Sequence, residues 1–288
     1  AGGLGMLGAA LLTSDQLEAS LDRLAAATAG AFGVNFLIPY LDPACLGVAA
    51  RKARVVEFFY GEPDPVLVER AHSHGALVSW QVGSAAEAVA ADQAGCDFAV
   101  AQGTEAGGHV RGTTRLLPLL SRVLEVTHLP VLAAGGIATA RDLAAALAHG
   151  AAGVRVGTRF VASAESGAHP VYVQSLLAAS ASDTCLTEAF SVDWPGAPHR
   201  VLRSSIAAAQ ALPEGIVGQI PVGGQMVPVP RFSVIPPTIG STGHVNAMAL
   251  YAGESVENVT SVRPAAAIIA DLVAGAERLL RSGTDTPD

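Results

Sequence analysis

Short apolar runs recur along the chain, each closing in glycine or a polar turn and each followed by a stretch of helical spacing. The runs are LGMLGAA at the start, FGVNFLI (Phe32 to Ile38), RVVEFFY from Arg54, ALVSWQV, CDFAVAQ, PVLAAGG and GVRVGTRF (Gly153 to Phe160). Between the first two, Thr13 or Ser14 is placed to cap a helix with Leu17, Leu21 and Leu24 on one face and Gly30 at its end. A looser segment follows Ile38. PDPVLVERAHSHG then reads as a helix opened by proline and stopped by Gly75, Ser84 caps AAEAVAADQAG, LLPLLSRVLEVTH is helical, and Thr139 caps ARDLAAALAHG. Unbroken alternation of strand and helix predicts a parallel sheet with right-handed crossovers.

Seven strands are counted, whereas a closed β/α barrel has eight. The glycine turns come last in the series, where barrels build phosphate sites after strands seven and eight, rather than after the first strand as in an open doubly wound sheet. The expectation is therefore an α/β fold, a (β/α)8 TIM barrel that enters this sequence one strand late, its first strand lying ahead of Ala1. Residues 1–163 form the barrel and residues 164–288 a small C-terminal cap. Within the cap, 165–182 reads as helical, TCLTEAFSV as a strand or extended crossing, and the Pro- and Gly-rich stretch 213–242 as a lid. RPAAAIIADLVAGAERLL is an amphipathic helix, and the polar end after it is expected to be disordered.

Composition narrows the function. Half of the 288 residues are hydrophobic and 15% charged, which suits one large core. A net charge of -8 with no basic cluster excludes a nucleic-acid or anionic-membrane surface. Three cysteines without CxxC spacing argue against a disulfide framework or zinc site and for a cytoplasmic protein. No apolar run is long enough for a membrane helix, and AGGLGMLGAALL lacks the basic region of a signal peptide. HExxH and paired histidines at metal spacing are absent, so no catalytic metal is expected, and without GxSxG the usual serine hydrolase is excluded.

Candidate chemistry gathers at QGTEAGGH (Gln102 to His109), LAAGGI (Leu132 to Ile137) and RVGT (Arg155 to Thr158). Gly135 and Gly136 let backbone approach a phosphate, and the Thr158 hydroxyl can donate to it; alternatively these glycines only close tight turns. Gln102 leaves a buried strand with an amide suited to the edge of a planar heterocycle. Gly107 and Gly108 let backbone lie against a ring or phosphate, and His109 follows with a side chain that exchanges protons near neutral pH. Glu105 is either a second base or a carboxylate that fixes the loop through backbone hydrogen bonds. Asn35, inside an apolar strand, either bonds a neighbouring loop or faces the ligand, since an unsatisfied buried amide costs roughly 1–3 kcal/mol. His72, His74, His128, His149, His169 and His199 are read on helices or loops, as solvated or packing residues; His244 lies in the Pro/Gly segment.

QGTEAGGHVRG, LPVLAAGGIATARDLAAALAHGAAGVRVGTRFVAS and MALYAGES closely resemble the nitronate monooxygenases, FMN enzymes on a (β/α)8 barrel. Flavin-dependent enoyl-ACP reductases share the fold and a very similar turn. The resemblance implies that Asn35, Gln102 and Gly107 contact FMN, that Gly136, Arg155, Val156, Gly157 and Thr158 hold its ring and phosphate, and that His109 binds the nitro group or takes the α-proton of a nitroalkane. It also implies a first strand ending in a Pro-Met turn and a helix ahead of Ala1. The implied function is oxidation of an alkyl nitronate such as propionate 3-nitronate with O2 to a carbonyl product and nitrite, by a monomer or homodimer. The alternatives are an NAD(P)H-dependent flavin reductase acting on quinones or an enoyl thioester, and a non-catalytic FMN- or phosphate-binding barrel.

Overall fold

The structure, a computed structural model, describes residues 1–284. Two compact units make it up. The first comprises Ala1–Gln102, Leu117–Ala133 and His149–Gly153; the second comprises Gly103–Leu116, Ala134–Ala148 and the chain from Val154 onward.

In the first unit, strands β1 (Gly5–Gly8), β2 (Phe32–Leu37), β3 (Val55–Phe59), β4 (Leu77–Val82) and β5 (Phe98–Gln102) alternate with helices α1 (Ser14–Ala27), α2 (Pro43–Lys52), α3 (Pro65–His72) and α4 (Ala85–Gln93). Each strand pairs in parallel with the next. Past the short strand β6 (Gly108–His109) and helix α5 (Leu116–Leu124), β7 (Val131–Ala134) and β8 (Gly153–Arg155) complete a seven-stranded sheet of order β1-β2-β3-β4-β5-β7-β8. Its neighbours follow the order of the chain and the sheet has no switch point, which is the topology of the β/α barrel and not of the doubly wound fold.

Local chemistry sets the helix starts. Thr13 and Gln16 form a capping box on α1. Asp42 and Asp64 accept from Ala44 and Val66 backbone N–H groups, with Pro43 and Pro65 supplying the fixed φ of a first turn. The α2 segment is therefore a helix where the sequence reads as loose, and its Asp-Pro start was the available signal. Helix α1 stops at Ala27, ahead of Gly30, because the Thr28 backbone is already extended.

Every residue of β3 is buried. Alternation sends Phe36, Phe58 and Trp80, paired across β2, β3 and β4, to one face, where their ring centroids lie 6.1 and 4.9 Å apart. The positions one residue earlier are in register too, and all polar: Asn35, Glu57 and Ser79. Asn35 Nδ2 donates to Glu57 Oε1 at 2.7 Å and Ser79 Oγ to Glu57 Oε2 at 3.4 Å, so the buried carboxylate is held by partners from both adjacent strands.

The second unit holds α6 (Ala140–Ala148), α7 (Thr158–Val161), α8 (Pro170–Leu177), β9 (Thr184–Thr187), β10 (His199–Leu202), α9 (Arg203–Gln210), β11 (Ile216–Val222), β12 (Gln225–Pro230), β13 (Thr242–Gly243) and α10 (Ala265–Thr284). The run Gly153–Phe160 is not one strand: β8 ends at Arg155, and a helical turn opens after Gly157. Of 165–182, only Pro170–Leu177 is α-helical, because Pro170 starts the helix and His169 caps it. The Pro/Gly-rich stretch contains a hairpin, β11–β12, whose turn glycines Gly223 and Gly224 have φ of +58° and +82°, as a two-residue hairpin turn demands. Helix α10 lays Ile268, Leu272 and Ala276 on Leu143 and Ala144 of α6. It continues through Thr284, and the remainder of the expected polar end, 285–288, lies outside the described residues. Among the described residues, no helix is long and apolar enough to cross a membrane.

Candidate active site

Within the second unit, three stretches distant in sequence are tied together by backbone. Glu105, 8% exposed, takes the Leu116 N–H on both carboxylate oxygens at 3.1 and 2.9 Å and pairs with Arg115 at 3.3 Å. It fixes the loop through backbone hydrogen bonds, one of the two roles the sequence leaves open for it. The Glu105 carbonyl accepts from Glu254 N–H at 2.9 Å, and Gly253 N–H donates to Thr158 Oγ1 at 3.0 Å. Arg200 spans the group: its Nε and one terminal nitrogen donate to the Thr104 carbonyl at 2.9 and 2.8 Å, and its guanidinium pairs with Glu254 at 3.2 Å.

The glycines divide by cause. A Cβ on Gly107 would lie 2.4 Å from Gly253 N, and Gly135 and Gly136 have left-handed φ with Ala106 N at 3.0 Å and Glu105 Cβ at 3.1 Å from where a Cβ would sit. The protein's own packing requires these three. Gly108 has φ of +82° with open space around it. Gly157 is different: its φ is -112°, it is exposed, and nothing lies within 4 Å of a Cβ built there. Neither a left-handed φ nor crowding by the protein requires a glycine at that turn. Thr158 Oγ1 accepts from Gly253, so its own hydroxyl proton can still be donated. Val156 packs its side chain against the apolar cluster of α6 and α10, so any ligand contact it makes is through backbone. Arg155 ends β8, partly buried. In the first unit, Gln102 ends β5 at 6% exposure, and Asn35 donates to Glu57.

His109 sits in β6, paired directly with His199 of β10. The Trp194 ring stacks on it at 4.3 Å, with His199 at 5.3 Å and Tyr251 at 5.6 Å. His199 is not on a helix or loop: it opens β10 and is fully buried. Its Nε2 accepts the Phe190 N–H at 3.1 Å, which requires Nδ1 to carry the proton donated to the Ala197 carbonyl at 2.8 Å. That pairing suits only the neutral ring, and burial holds its pKa below the ordinary value. Burial, reinforced by His199, pushes the His109 pKa down to about 4. His109 is therefore a neutral imidazole at physiological pH, able to donate from one nitrogen and accept at the other. Trp194, His199 and Arg200 carry no local motif, and strand pairing brings His199 and Arg200 beside His109 and Gly108; Tyr251 lies in MALYAGES, one of the stretches that carry the resemblance.

The depressed pKa ties stability to pH. The unfolded chain takes up the His109 proton near 6.5, the folded one near 4, so the stabilisation is complete above 6.5 and is lost as pH falls through 4. A difference of this size is worth roughly 3 kcal/mol. Urea midpoints are expected to fall between about pH 7 and 4.5, and less steeply in Trp194→Ala, where the exposed imidazole regains a pKa nearer 6.5 as read by NMR. An unchanged His109 titration in that variant would exclude the indole as the source of burial.

The sequential parallel sheet, with glycine turns at strand ends and a buried neutral histidine, places the chain among β/α-barrel enzymes. It belongs to the nitronate monooxygenase family, whose model matches residues 45–275. A Mycobacterium tuberculosis (3aS,4S,5R,7aS)-5-hydroxy-7a-methyl-1-oxo-octahydro-1H-indene-4-carboxyl-CoA dehydrogenase is 38% identical over 72% of this chain, and the chain spans 58% of that protein's length. Among solved structures, FabK from Thermotoga maritima aligns over 98% of this chain and 87% of its own, with TM-score 0.79 and 29% identity. Nitroalkane oxidase from Streptomyces ansochromogenes aligns over 99% of this chain and 91% of its own, with TM-score 0.78 and 27% identity.

Proposed function

We propose that this chain oxidises alkyl nitronates, propionate 3-nitronate being the type substrate, with O2 and bound FMN, to a carbonyl product and nitrite. The observation that carries the reading is His109, held neutral between Trp194, His199 and Tyr251. FMN, when bound, supplies the electron transfer and the reaction with O2. Gly136, Gly157 and Thr158 are assigned to its phosphate, and Gly107, Gly108, Gly135, Arg155 and Val156 to backbone contacts around it. Asn35 and Gln102 are assigned to the ring on the family resemblance, with the Asn35 carbonyl as acceptor because its amide nitrogen is engaged by Glu57. The His109 N–H binds a nitro or nitronate oxygen, and its unprotonated nitrogen takes the α-proton when the substrate is the neutral nitroalkane. The Trp194 indole keeps water from one face of that ring.

Oxygen uptake by FMN-loaded protein on adding propionate 3-nitronate, without NAD(P)H, is the expected result; its absence despite bound flavin would overturn the reading. A second reading, an NAD(P)H-dependent or acyl-thioester oxidoreductase, is favoured by the carboxyl-CoA dehydrogenase relative. It predicts anaerobic bleaching of the flavin by NADH or NADPH, or by a carboxyl-CoA thioester, and no nitronate-dependent uptake.

A further inference from the structure

One cavity of the second unit takes no part in the chemistry above. It holds about 210 Å³ and is lined by Thr139, Arg159, Asn258, Thr260, Ser261, Arg263 and Asp271, among others. Arg159 is the unusual member. It is only 7% exposed, yet the one hydrogen bond its guanidinium makes among the described residues is a 3.4 Å contact to the Ala162 carbonyl. A guanidinium carries five N–H donors and stays charged, so burial with one marginal acceptor leaves most of its hydrogen-bonding capacity directed at the cavity.

The neighbours do not neutralise it. Arg263 lines the same cavity, and its single carboxylate partner among the described residues is Asp271, so two guanidinium groups share one carboxylate there. Burial and the Arg263 charge both work against the Arg159 cation, with Asp271 only partly offsetting them. The other nearby carboxylates are engaged on backbone: Asp142 accepts from the Ala138 and Thr139 N–H groups, and Glu165 from Ala265 N–H. Thr139, Thr260 and Ser261 add hydroxyls and Asn258 an amide on the cavity wall. Paired guanidiniums ringed by neutral donors suit a tetrahedral dianion, which arginine binds bidentately.

We propose that this cavity binds a phosphate group through Arg159 and Arg263, at a site separate from the Gly157–Thr158 turn. The ligand is either inorganic phosphate or the phosphate monoester of a nucleotide. Neither the residues used nor the test depends on the flavin chemistry.

Calorimetric titration with inorganic phosphate, with and without saturating FMN, tests it. Binding that persists with FMN and weakens at least tenfold in Arg263→Ala is the expected result. Arg263 is partly exposed, so its loss spares the fold; Arg159→Ala should weaken binding as much, and Arg159→Lys should restore only part because the fork is lost. Adenosine 3′,5′-bisphosphate binding at least tenfold tighter than phosphate, with adenosine inert, assigns the site to a nucleotide; equal affinity assigns it to free phosphate. No phosphate binding, binding abolished by FMN, or binding unchanged in Arg263→Ala would each overturn the proposal.

Discussion

Replacing His109 by alanine is expected to slow turnover of a neutral nitroalkane by about 10²–10⁴-fold, the usual contribution of a positioned general base. The pre-formed nitronate should suffer less. Its α-proton is already gone, so the imidazole offers it only a hydrogen bond to an anion, worth about 1.5–3 kcal/mol or roughly 10- to 100-fold. The pH profile carries a second signature. With its pKa near 4, the free imidazole stays unprotonated, so kcat/KM for the nitroalkane should show no acid limb from His109 between about pH 5.5 and 8. His109→Gln, which keeps a donor but no base, should restore much of the nitronate rate and little of the nitroalkane rate. Equal losses on both substrates would confine His109 to binding, and an acid limb near pH 6.5 that vanishes in His109→Gln would show that His109 of the flavin-loaded, substrate-free enzyme keeps the ordinary imidazole pKa.

What could be read from the sequence follows the range of the interactions. The parallel β/α series was legible because strand period, capping residues and stop glycines are local. Helix α2 was overlooked although Asp42 and Pro43 marked its start, since its run of small residues gives a weak apolar face. The β11–β12 hairpin was hidden by prolines, which a strand at the edge of a sheet tolerates: β12 pairs only with β11. His109 stood out beside its paired glycines. Its surroundings did not, because they arise where β6 pairs antiparallel to β10, a contact closed over a long stretch of chain. Glu105 was ambiguous for the same reason, since its partner is a backbone N–H eleven residues on. Glu57 was unreadable as polar core, because a charged residue in a strand is ordinarily solvent-facing; only registration with Asn35 and Ser79 shows why it can be buried.

Two glycine-to-alanine changes, Gly107→Ala and Gly157→Ala, should part company sharply. At Gly107 the new methyl would meet Gly253 N at 2.4 Å and the Ala252 carbonyl carbon at 2.7 Å, both backbone atoms. They cannot swing aside as a side chain would: the Gly253 N–H is bound to Thr158, and the Glu254 N–H to the Glu105 carbonyl. The junction must open, at a cost of about 3 kcal/mol or more for a rigid overpacked contact. A fall in Tm of several degrees is expected, with flavin binding lost through the fold. At Gly157 the methyl enters open space at an ordinary φ of -112°. The flavin-free chain should keep its Tm or gain slightly, since alanine restricts the unfolded state by about 0.4–1 kcal/mol. FMN affinity should nevertheless fall at least tenfold, because the methyl takes the surface that the proposed function assigns to the phosphate. Loss of FMN binding with undiminished stability locates the phosphate at this turn by a readout independent of turnover. Parental affinity in Gly157→Ala would move the phosphate elsewhere and leave the exposed glycine without a function.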